Sequence, residues 1–557
     1  MRLVSLALIL CFTSVLAAAE TWVREPFVVI EGQTVRALVP KRAASAIEPY
    51  VRRADQLYPL LAKDADYEIK GPLWLWIGRD SDQHNGFSTV VPFPIVQIEL
   101  SKARPEQRIF AGGDDFERTL IHELTHHIAN DRNRGFRRGL EYIFGRVLPN
   151  DPLSMLIAYL SLPPHIFQPR FWHEGTSVWS ETTYAPKDTV WAGRGRDSLT
   201  HMIWRMDAAD EAIPEVGDWK ISYRKWPYGG QAYVYGTAYL RYLSGAYAID
   251  IWQLLEHQSR KWPFVFTNGS TNLYGKSHEI LLQEARAALL TEQQAQLERL
   301  RQQPLTELTR LTPEDAFAGA PVWNSDGSIT LALNRSHHQA RIYTVDASGA
   351  LDKHWAPGHF DPALRSRDGY VVYNSYDYRI RASTMLTSPD GSRRELKTQG
   401  LQPDLVVEGN QITIATVALN DSLQQRLRIE RFINGDSAGL LTTPPQQGDA
   451  SWSPTWRPGS DDLLWVETDP SGSRLILGQG EQRREFLHLA GRIMHPVWDQ
   501  AGTEIYFAAD HTGVANGYRL SLSGNQVALK QITHVIGGVI AVVQSQDGSE
   551  LALNNHD

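Results

Sequence analysis

The sequence predicts a multidomain protein in which an α+β domain is followed by an all-β propeller. The chain has 557 residues, which is too long for a single hydrophobic core. Its first half mixes strand and helix patterns, whereas its second half contains only short strands and turns. Those strands and turns recur at a regular spacing, which is typical of a repeat architecture.

The first 19 residues, MRLVSLALILCFTSVLAAA, have the pattern of a secretory signal peptide. A basic start precedes a short apolar run and a small-residue end, so we expect cleavage after Ala19. An uncleaved anchor helix is the alternative. The only cysteine, Cys11, lies in this segment, so the mature chain has neither a disulfide nor a thiolate nucleophile. A secreted chain of this size without cysteine is typical of a bacterial periplasmic protein that is exported across the inner membrane. Association with the envelope is the alternative to a free periplasmic protein.

Composition and charge exclude several classes of protein. The chain is 42% hydrophobic and 21% charged, as in ordinary soluble globular proteins. Its formal net charge of -8 argues against a nucleic-acid partner. Beyond the signal peptide, no apolar run reaches membrane-spanning length.

The α+β domain is predicted in two parts, an α/β part at 20–112 and a mainly helical part at 113–304. Residues 306–313 have the composition of a linker, and the propeller is predicted at 305–557. The clearest elements are a helix at 44–62, strands at 72–78 and 94–100, and helices at 233–247 and 277–302.

The second half repeats a unit of proline, short strand, polar turn and apolar strand. The proline recurs at positions 321, 362, 403, 454 and 496, and a partial sixth copy begins at Ala541. One unit cannot bury both of its faces, whereas four-stranded blades around an axis can. The regular spacing therefore favours a propeller over a β-sandwich with similar hairpins.

The segment HELTHHIAN, residues 122–130, contains candidate metal ligands. In a helix, His122 and His126 lie one turn apart on one face, so both imidazoles can reach one metal ion. Glu123 lies beside that face, where a carboxylate can take a proton from metal-bound water. His127 points about 100° away, which predicts a surface or supporting position rather than a ligand.

A third ligand is needed, because two histidines and a glutamate at this spacing occur by chance in roughly a few per cent of such chains. The segment FWHEGTSVWSE, residues 171–181, offers Glu174. Seven residues later, Glu181 returns to the same helical face. It could therefore hydrogen-bond a ligand histidine from behind the metal. His173, next to Glu174, could line the cleft.

The HExxH motif and the later EG-small-small-x-x-x-E pattern resemble the gluzincin zinc metallopeptidases, which include thermolysin-like and aminopeptidase-like folds. The order of motifs is similar to that of the peptidase MA-like domain of bacterial envelope proteins. The resemblance covers about residues 22–300 and implies a thermolysin-like α+β peptidase domain. It is carried by Asn85-Gly86-Phe87 and PIVQIEL before HExxH, and by Pro169, Trp172 and Glu174-Gly175 after it.

This resemblance implies that His122, His126 and Glu174 hold Zn²⁺ and that Glu123 is the general base. Zinc-activated water would attack a peptide carbonyl, and Glu123 would pass the proton to the leaving amine. The developing oxyanion needs one further donor. In related aminopeptidases a tyrosine in a Y-x-x-G setting supplies it, which indicates Tyr233, with Tyr235 as the rival. Both tyrosines could instead be core aromatics.

Several features depart from the aminopeptidases. Their GxMEN motif is absent, so we expect an endopeptidase rather than an exopeptidase. A longer insert between His126 and Glu174 contains residues 148–167, predicted as a helical hairpin packed on the core. An apolar lid or a membrane-contacting flap is the alternative. Substrate backbone often pairs with an edge strand in such enzymes. Residues 94–100 are the candidate edge, unless they form a covered central strand.

The repeats resemble the six-bladed TolB-type propeller of periplasmic proteins, most visibly at Pro321, Trp323, Asp326 and Gly327. The first functional hypothesis is a secreted zinc peptidase acting on peptides or proteins, with the propeller gating or recruiting substrate. The second is a non-catalytic envelope scaffold that binds a protein partner through its propeller. Contact with a membrane surface fits either hypothesis, whereas nucleic acid fits neither.

Overall fold

The computed structural model describes residues 26–556 apart from short gaps. The gaps are residues 79–80, 103–114, 187–188, 192, 216, 220–227, 249, 260–267, 314–315, 336–339, 356–362, 378–379, 421 and 525. The predicted signal peptide, residues 1–19, lies outside the described residues. Within the described part, no helix has the length and apolar content to cross a bilayer.

A mixed sheet underlies the N-terminal half, and its order among the described strands is β1-β2-β3-β5-β4. β2, β3 and β5 run parallel, while β1 and β4 pair antiparallel at the two edges. Residues 94–100 therefore form a covered strand rather than the edge, and the expectation of an edge there is wrong. The strands are β1 (Phe27–Glu31), β2 (Val35–Pro40), β3 (Leu73–Gly78), β4 (Gly86–Thr89) and β5 (Ile95–Glu99).

Residue periodicity explains how this sheet is covered. In β3, Leu73, Leu75 and Ile77 are buried while the alternate tryptophans are exposed, as expected for a strand with one face on a core. Helix α1 crosses between the parallel strands β2 and β3 and packs on that core, as parallel pairing requires.

Helices dominate the chain from residue 115 to residue 301. The predicted helices at 44–62, 233–247 and 277–302 are confirmed. The helices are α1 (Ala44–Asp64), α2 (Asp115–Asn130), α3 (Gly135–Phe144), α4 (Pro152–Ser161), α5 (Arg170–Tyr184), α6 (Ser198–Ala209), α7 (Gln231–Tyr247), α8 (Ile251–Ser259), α9 (Asn268–Tyr274) and α10 (His278–Arg301).

The second half is a ring of six blades in the described residues. The innermost strands β7, β11, β15, β19, β23 and β27 each contact the next, and β27 contacts β7, so the ring is closed. A propeller fold, predicted from the repeats, is therefore confirmed. The sixth blade has two described strands. Blade 1 contains β6 (Ala316–Ala318), β7 (Val322–Trp323), β8 (Ile329–Arg335), β9 (Arg341–Val345) and β10 (Leu351–Trp355), and blade 2 contains β11 (Arg365–Arg367), β12 (Tyr370–Tyr376), β13 (Ala382–Thr387) and β14 (Arg393–Leu396). Blade 3 contains β15 (Leu401–Glu408), β16 (Gln411–Leu419), β17 (Gln425–Ile433) and β18 (Asp436–Leu441), and blade 4 contains β19 (Ala450–Trp456), β20 (Leu463–Asp469), β21 (Gly472–Gln479) and β22 (Gln482–Leu489). Blade 5 contains β23 (Ile493–Trp498), β24 (Glu504–Ala509), β25 (Asn516–Ser523) and β26 (Gln526–Gln531), and blade 6 contains β27 (Val539–Gln544) and β28 (Leu551–Asn555).

The repeated prolines mark β-bulges in the innermost strands. Pro403, Pro454 and Pro496 each lie where the register shifts against the neighbouring strand. The preceding residue has a positive φ in all three cases. Because proline cannot donate to a ladder, a bulge is one of the few positions in a strand that accepts it. The spacing of the prolines therefore reports the spacing of the blades.

Helix α6 joins the two halves of the chain. Leu199 and Met202 are at most 1% exposed and pack in one apolar cluster with Met494 and Val539 of the propeller. Close by, the Arg492 guanidinium contacts Asp197 at 2.5 Å, at the start of the same helix. The helical half and the propeller therefore share a core at this point.

Candidate metal centre

Helices α2 and α5 bring the three predicted ligands together. Nε2 of His122 and Nε2 of His126 lie 3.0 Å apart. Each of these nitrogens lies 3.3 Å from Oε2 of Glu174. The three donor atoms therefore lie at the corners of a small triangle. Two of them come from histidines four residues apart on α2, and the third comes from the glutamate on the facing helix α5.

The size of this triangle suits a tetrahedral metal ion. Zinc bonds of 2.0–2.1 Å at tetrahedral angles place ligand atoms about 3.3 Å apart. Glu174 Oε2 is also buried and accepts no hydrogen bond of good geometry from the described residues. A buried carboxylate oxygen without such a partner is costly unless another cation or donor satisfies it. The donor set and its spacing therefore fit Zn²⁺.

The three groups stabilise one another's charged forms. Burial opposes ionisation of Glu174, but the two imidazoles outweigh it and hold its pKa well below the ordinary value. Burial also opposes protonation of His122, whereas its contacts with Glu174 and Glu181 raise its pKa to about 9. Without a cation the cluster therefore retains a proton at neutral pH, and metal binding has to displace it.

Glu181 and Arg194 fix the orientation of His122 from behind. Nδ1 of His122 lies 2.7 Å from Oε1 of Glu181, which is fully buried. If Nδ1–H donates to that carboxylate, Nε2 keeps its lone pair for a metal. Arg194 Nε donates to the other oxygen of Glu181 at 2.8 Å. Burial would raise the pKa of Glu181, but Arg194 lowers it more strongly, so the carboxylate stays ionised.

We expect Glu181→Gln to weaken zinc binding by about 10- to 100-fold, because the amide supports the metal-binding form of His122 less well. The affinity would be measured by competition with a chromogenic chelator. Glu279→Gln, an exposed change at the start of α10, is the matched control and should bind zinc like wild type. Equal affinity of the two variants would show that Glu181 does not support His122.

Of the two candidate tyrosines, the structure places Tyr233 at the cluster. Its ring stacks on His122 at a centroid distance of 5.9 Å. The guanidinium groups of Arg170 and Arg194 lie 5.6 and 5.0 Å from its centroid. Tyr235 instead stacks on Trp219 in the core and donates its hydroxyl to Asp207. The choice that the sequence left open therefore falls on Tyr233.

Two glycines set the separation of α5 and α7. A Cβ at Gly236 would lie 2.1 Å from the Phe171 carbonyl oxygen, and a Cβ at Gly175 would lie 2.5 Å from the Gly236 carbonyl carbon. No larger residue fits at either position without separating the helices. Gly175 follows Glu174 directly, and Gly236 lies one helical turn after Tyr233. The close approach therefore brings a ligand and the tyrosine to the same place.

The side chain of Glu123 extends from α2 toward the edge of the sheet. It is 5% exposed, and burial raises its pKa above the ordinary value for a glutamate. A Cβ at Gly86 in β4 would lie 2.6 Å from Oε1 of Glu123. Glycine is therefore the residue that lets this edge strand lie directly against the carboxylate.

Other histidines surround the cluster without completing it. The sequence predicts His127 at the surface or in a supporting position rather than as a ligand. It is buried rather than at the surface, its Nε2 lies 3.0 Å from the Tyr58 hydroxyl, and it is not one of the three clustered ligands in the described residues. The ring of His173 lies 6.3 Å from that of His126 and 4.4 Å from that of His165. Burial lowers the pKa of His127 and of His173 to about 4, so both rings are neutral at neutral pH.

Sequence reasoning missed Arg194 and His165. Arg194 belongs to a GRGR stretch (193–196) with no motif, and its role depends on a contact with Glu181 across 13 residues. His165 lies in the insert, and its ring nitrogens are buried without a hydrogen-bond partner among the described residues. His165 could have been identified only from the position of the insert beside His173 in space. The sequence does not reveal that position.

Comparisons with known proteins add little to this geometry. No protein-family model matches the chain, and no curated protein matches it. Among solved structures, a putative TolB from Agrobacterium tumefaciens is 14% identical, covering 43% of this chain and 91% of its own, with a TM-score of 0.33. TolB from Acinetobacter baumannii is 13% identical, covering 40% of this chain and 55% of its own, also with a TM-score of 0.33.

A puromycin-hydrolysing peptidase from Mycobacterium tuberculosis is similar at the same level. It is 16% identical, covers 43% of each chain and has a TM-score of 0.30. At such identities and scores these similarities carry no argument about fold or activity. The propeller is therefore assigned from the ring of blades in this structure, and its TolB-type character stays a prediction.

Proposed function

We propose that the protein is a zinc-dependent peptidase of the gluzincin type. The observation that carries this proposal is the triangle formed by His122, His126 and Glu174, whose sides match the spacing of tetrahedral zinc ligands. Two further features support hydrolysis at such a centre. Glu181 contacts His122 and can orient this ligand, and Glu123 is buried beside the triangle, where it can act as a base.

Zinc held by these three residues would supply a Lewis acid that lowers the pKa of a coordinated water toward neutrality. Burial raises the pKa of Glu123, which suits a general base that takes a proton and returns it to the leaving amine. Tyr233, beside His122, is the candidate donor to the developing oxyanion, and Arg170 and Arg194 hold its ring.

Strand β4 is the candidate surface for the substrate backbone. It is the edge of the sheet nearest the cluster, and Gly86 at its start lies against Glu123. An extended peptide can add to such an edge through main-chain hydrogen bonds. An edge strand accepts internal segments of a chain as well as its ends, which supports an endopeptidase.

The propeller is proposed to restrict or recruit protein substrates in the periplasm. Support comes from the way it is joined to the catalytic half. Arg194 lies four residues before the start of α6, the helix that is packed in the propeller core. A partner bound to the propeller could thus influence the residues that support His122.

We expect the purified mature protein to contain about one zinc per chain, measured by inductively coupled plasma mass spectrometry after dialysis. His126→Ala should lose most of that zinc, because only two ligands would remain. His257→Ala, a histidine on α8 outside the cluster, is the control and should keep it. A wild-type protein that holds no zinc after reconstitution would overturn the proposal.

A further inference from the structure

An apolar patch lies on the outer side of the hairpin formed by α3 and α4. These helices pack together, yet eight large apolar side chains between residues 136 and 156 are 45–92% exposed. Soluble proteins rarely leave so many neighbouring apolar groups in water unless something covers them. The apolar patch consists of Phe136, Tyr142, Ile143, Phe144, Leu148, Leu153, Met155 and Leu156.

The distribution of exposure around α4 fits a lipid surface better than a protein groove. A helix that docks in a groove shows one apolar stripe, at positions i, i+3, i+4 and i+7. In α4 the exposed Pro152, Met155 and Leu156 have that spacing, but Leu153 beside them is exposed too, and the helix contains no charged residue. In α3 three consecutive residues, 142–144, are exposed, so the apolar face is broader than one stripe. Acyl chains can surround such a broad face, whereas a groove cannot.

The charged groups within the patch are already satisfied. Glu141 accepts a hydrogen bond from Arg146 at 3.0 Å. Asp151 caps α4 by accepting from the backbone N–H groups of Leu153 and Ser154. Glu141 is therefore paired with a cation, while Asp151 is engaged at the N-terminus of α4.

Positive charge lies beneath and beside the patch. Residues 132–170 contain six arginines and two acidic residues, in a chain whose net charge is -8. Arg137 is 1% exposed between α3 and α4 and donates to the carbonyl oxygens of Tyr159 and Leu162. No carboxylate among the described residues forms an ion pair with it. At the rim, the Arg138 side chain is 54% exposed and shares only an exposed pair with Glu68.

We infer that the apolar patch inserts into the headgroup region of an anionic phospholipid bilayer. Its apolar centre would enter the boundary of the acyl chains, while the exposed Arg138 at the rim would attract the lipid phosphates. The sequence predicts a hairpin within residues 148–167, but they contain only α4 and a short 3-10 turn, and the hairpin is made by α4 with the earlier helix α3. Its outer face is the membrane-contacting one.

The insert that carries this surface also contacts the surroundings of the metal centre. Its chain leads from α4 to His165, whose ring is 4.4 Å from that of His173, the residue before Glu174. If the proposed function holds, the substrates are polypeptides at the bilayer surface. The binding of lipid itself does not depend on that function.

Flotation of phospholipid vesicles through a sucrose gradient tests the inference. The mature protein should bind vesicles containing phosphatidylglycerol more tightly than vesicles of phosphatidylcholine alone. Ile143→Ser combined with Leu153→Ser should lower the partition coefficient by about tenfold or more. The matched control is Ile433→Ser with Leu440→Ser, which removes exposed side chains of the same kinds from the propeller and should bind like wild type.

Absence of wild-type binding, or equal binding by the patch variant, would overturn the inference. A wild-type dimer in gel filtration that the patch variant converts to a monomer, without vesicle binding, would overturn it as well and assign the patch to a second copy. Glu123→Gln protein should float like wild type. Failure of the peptidase proposal and failure of the membrane inference are therefore distinguishable.

Discussion

Replacement of Glu123 by glutamine is expected to lower kcat/KM for peptide hydrolysis by about 10²- to 10⁴-fold. Glutamine keeps the size of the buried side chain but cannot accept a proton, so the loss should appear in kcat. Initial rates on an internally quenched peptide library would measure it. Zinc content should remain at the wild-type level, because Glu123 is not one of the three clustered ligands.

The control for this experiment is Glu117→Gln on the same helix. Glu117 forms an ion pair with Arg53 at 2.6 Å and is not part of the metal cluster, so its loss should leave turnover near the wild-type value. Full activity of the Glu123 variant would remove the general base from the mechanism. No activity in the zinc-loaded wild-type protein would favour the non-catalytic scaffold.

Tyr233→Phe is expected to lower kcat by about 10²- to 10³-fold, the usual cost of removing one donor to an oxyanion. The ring of phenylalanine can keep the stacking on His122, so zinc content and KM should change little. Steady-state kinetics on the same peptides would separate kcat from KM.

Tyr235→Phe is the matched control, since it removes the same hydroxyl two residues away. Its hydroxyl donates to Asp207 rather than facing the cluster, and its loss leaves that carboxylate short of a donor. We therefore expect a lower free energy of unfolding, by about 1–3 kcal/mol, with normal turnover per folded molecule. The reverse pattern would exchange the roles of the two tyrosines.

Local patterns predicted those features of the site that depend on residue spacing along one helix. His122 and His126 face the same way because they lie one turn apart, and Glu181 returns to the face of Glu174 after two turns. The repeated prolines predicted the blades, and three of them, Pro403, Pro454 and Pro496, mark bulges in inner strands.

Features that depend on contacts between distant elements could not be predicted in this way. The strand at 94–100 was predicted, but its neighbour β4, with the sequence GFST, was not, and only the pairing order shows that β4 is the edge. Arg194 supports Glu181 from a separate turn, and His127 is buried because Tyr58 approaches it from α1. Likewise, apolar residues in α3 and α4 suggest a core from the sequence, although the structure leaves them exposed.

The burial of α6 among propeller side chains has a consequence for how the chain folds. A fragment ending near residue 304 would leave Leu199 and Met202 in water and remove the carboxylate and carbonyl partners that the propeller supplies. Each half loses part of the shared core without the other, so heat should unfold both in one cooperative transition. The N-terminal half would then acquire its final stability only after the last blades had been synthesised.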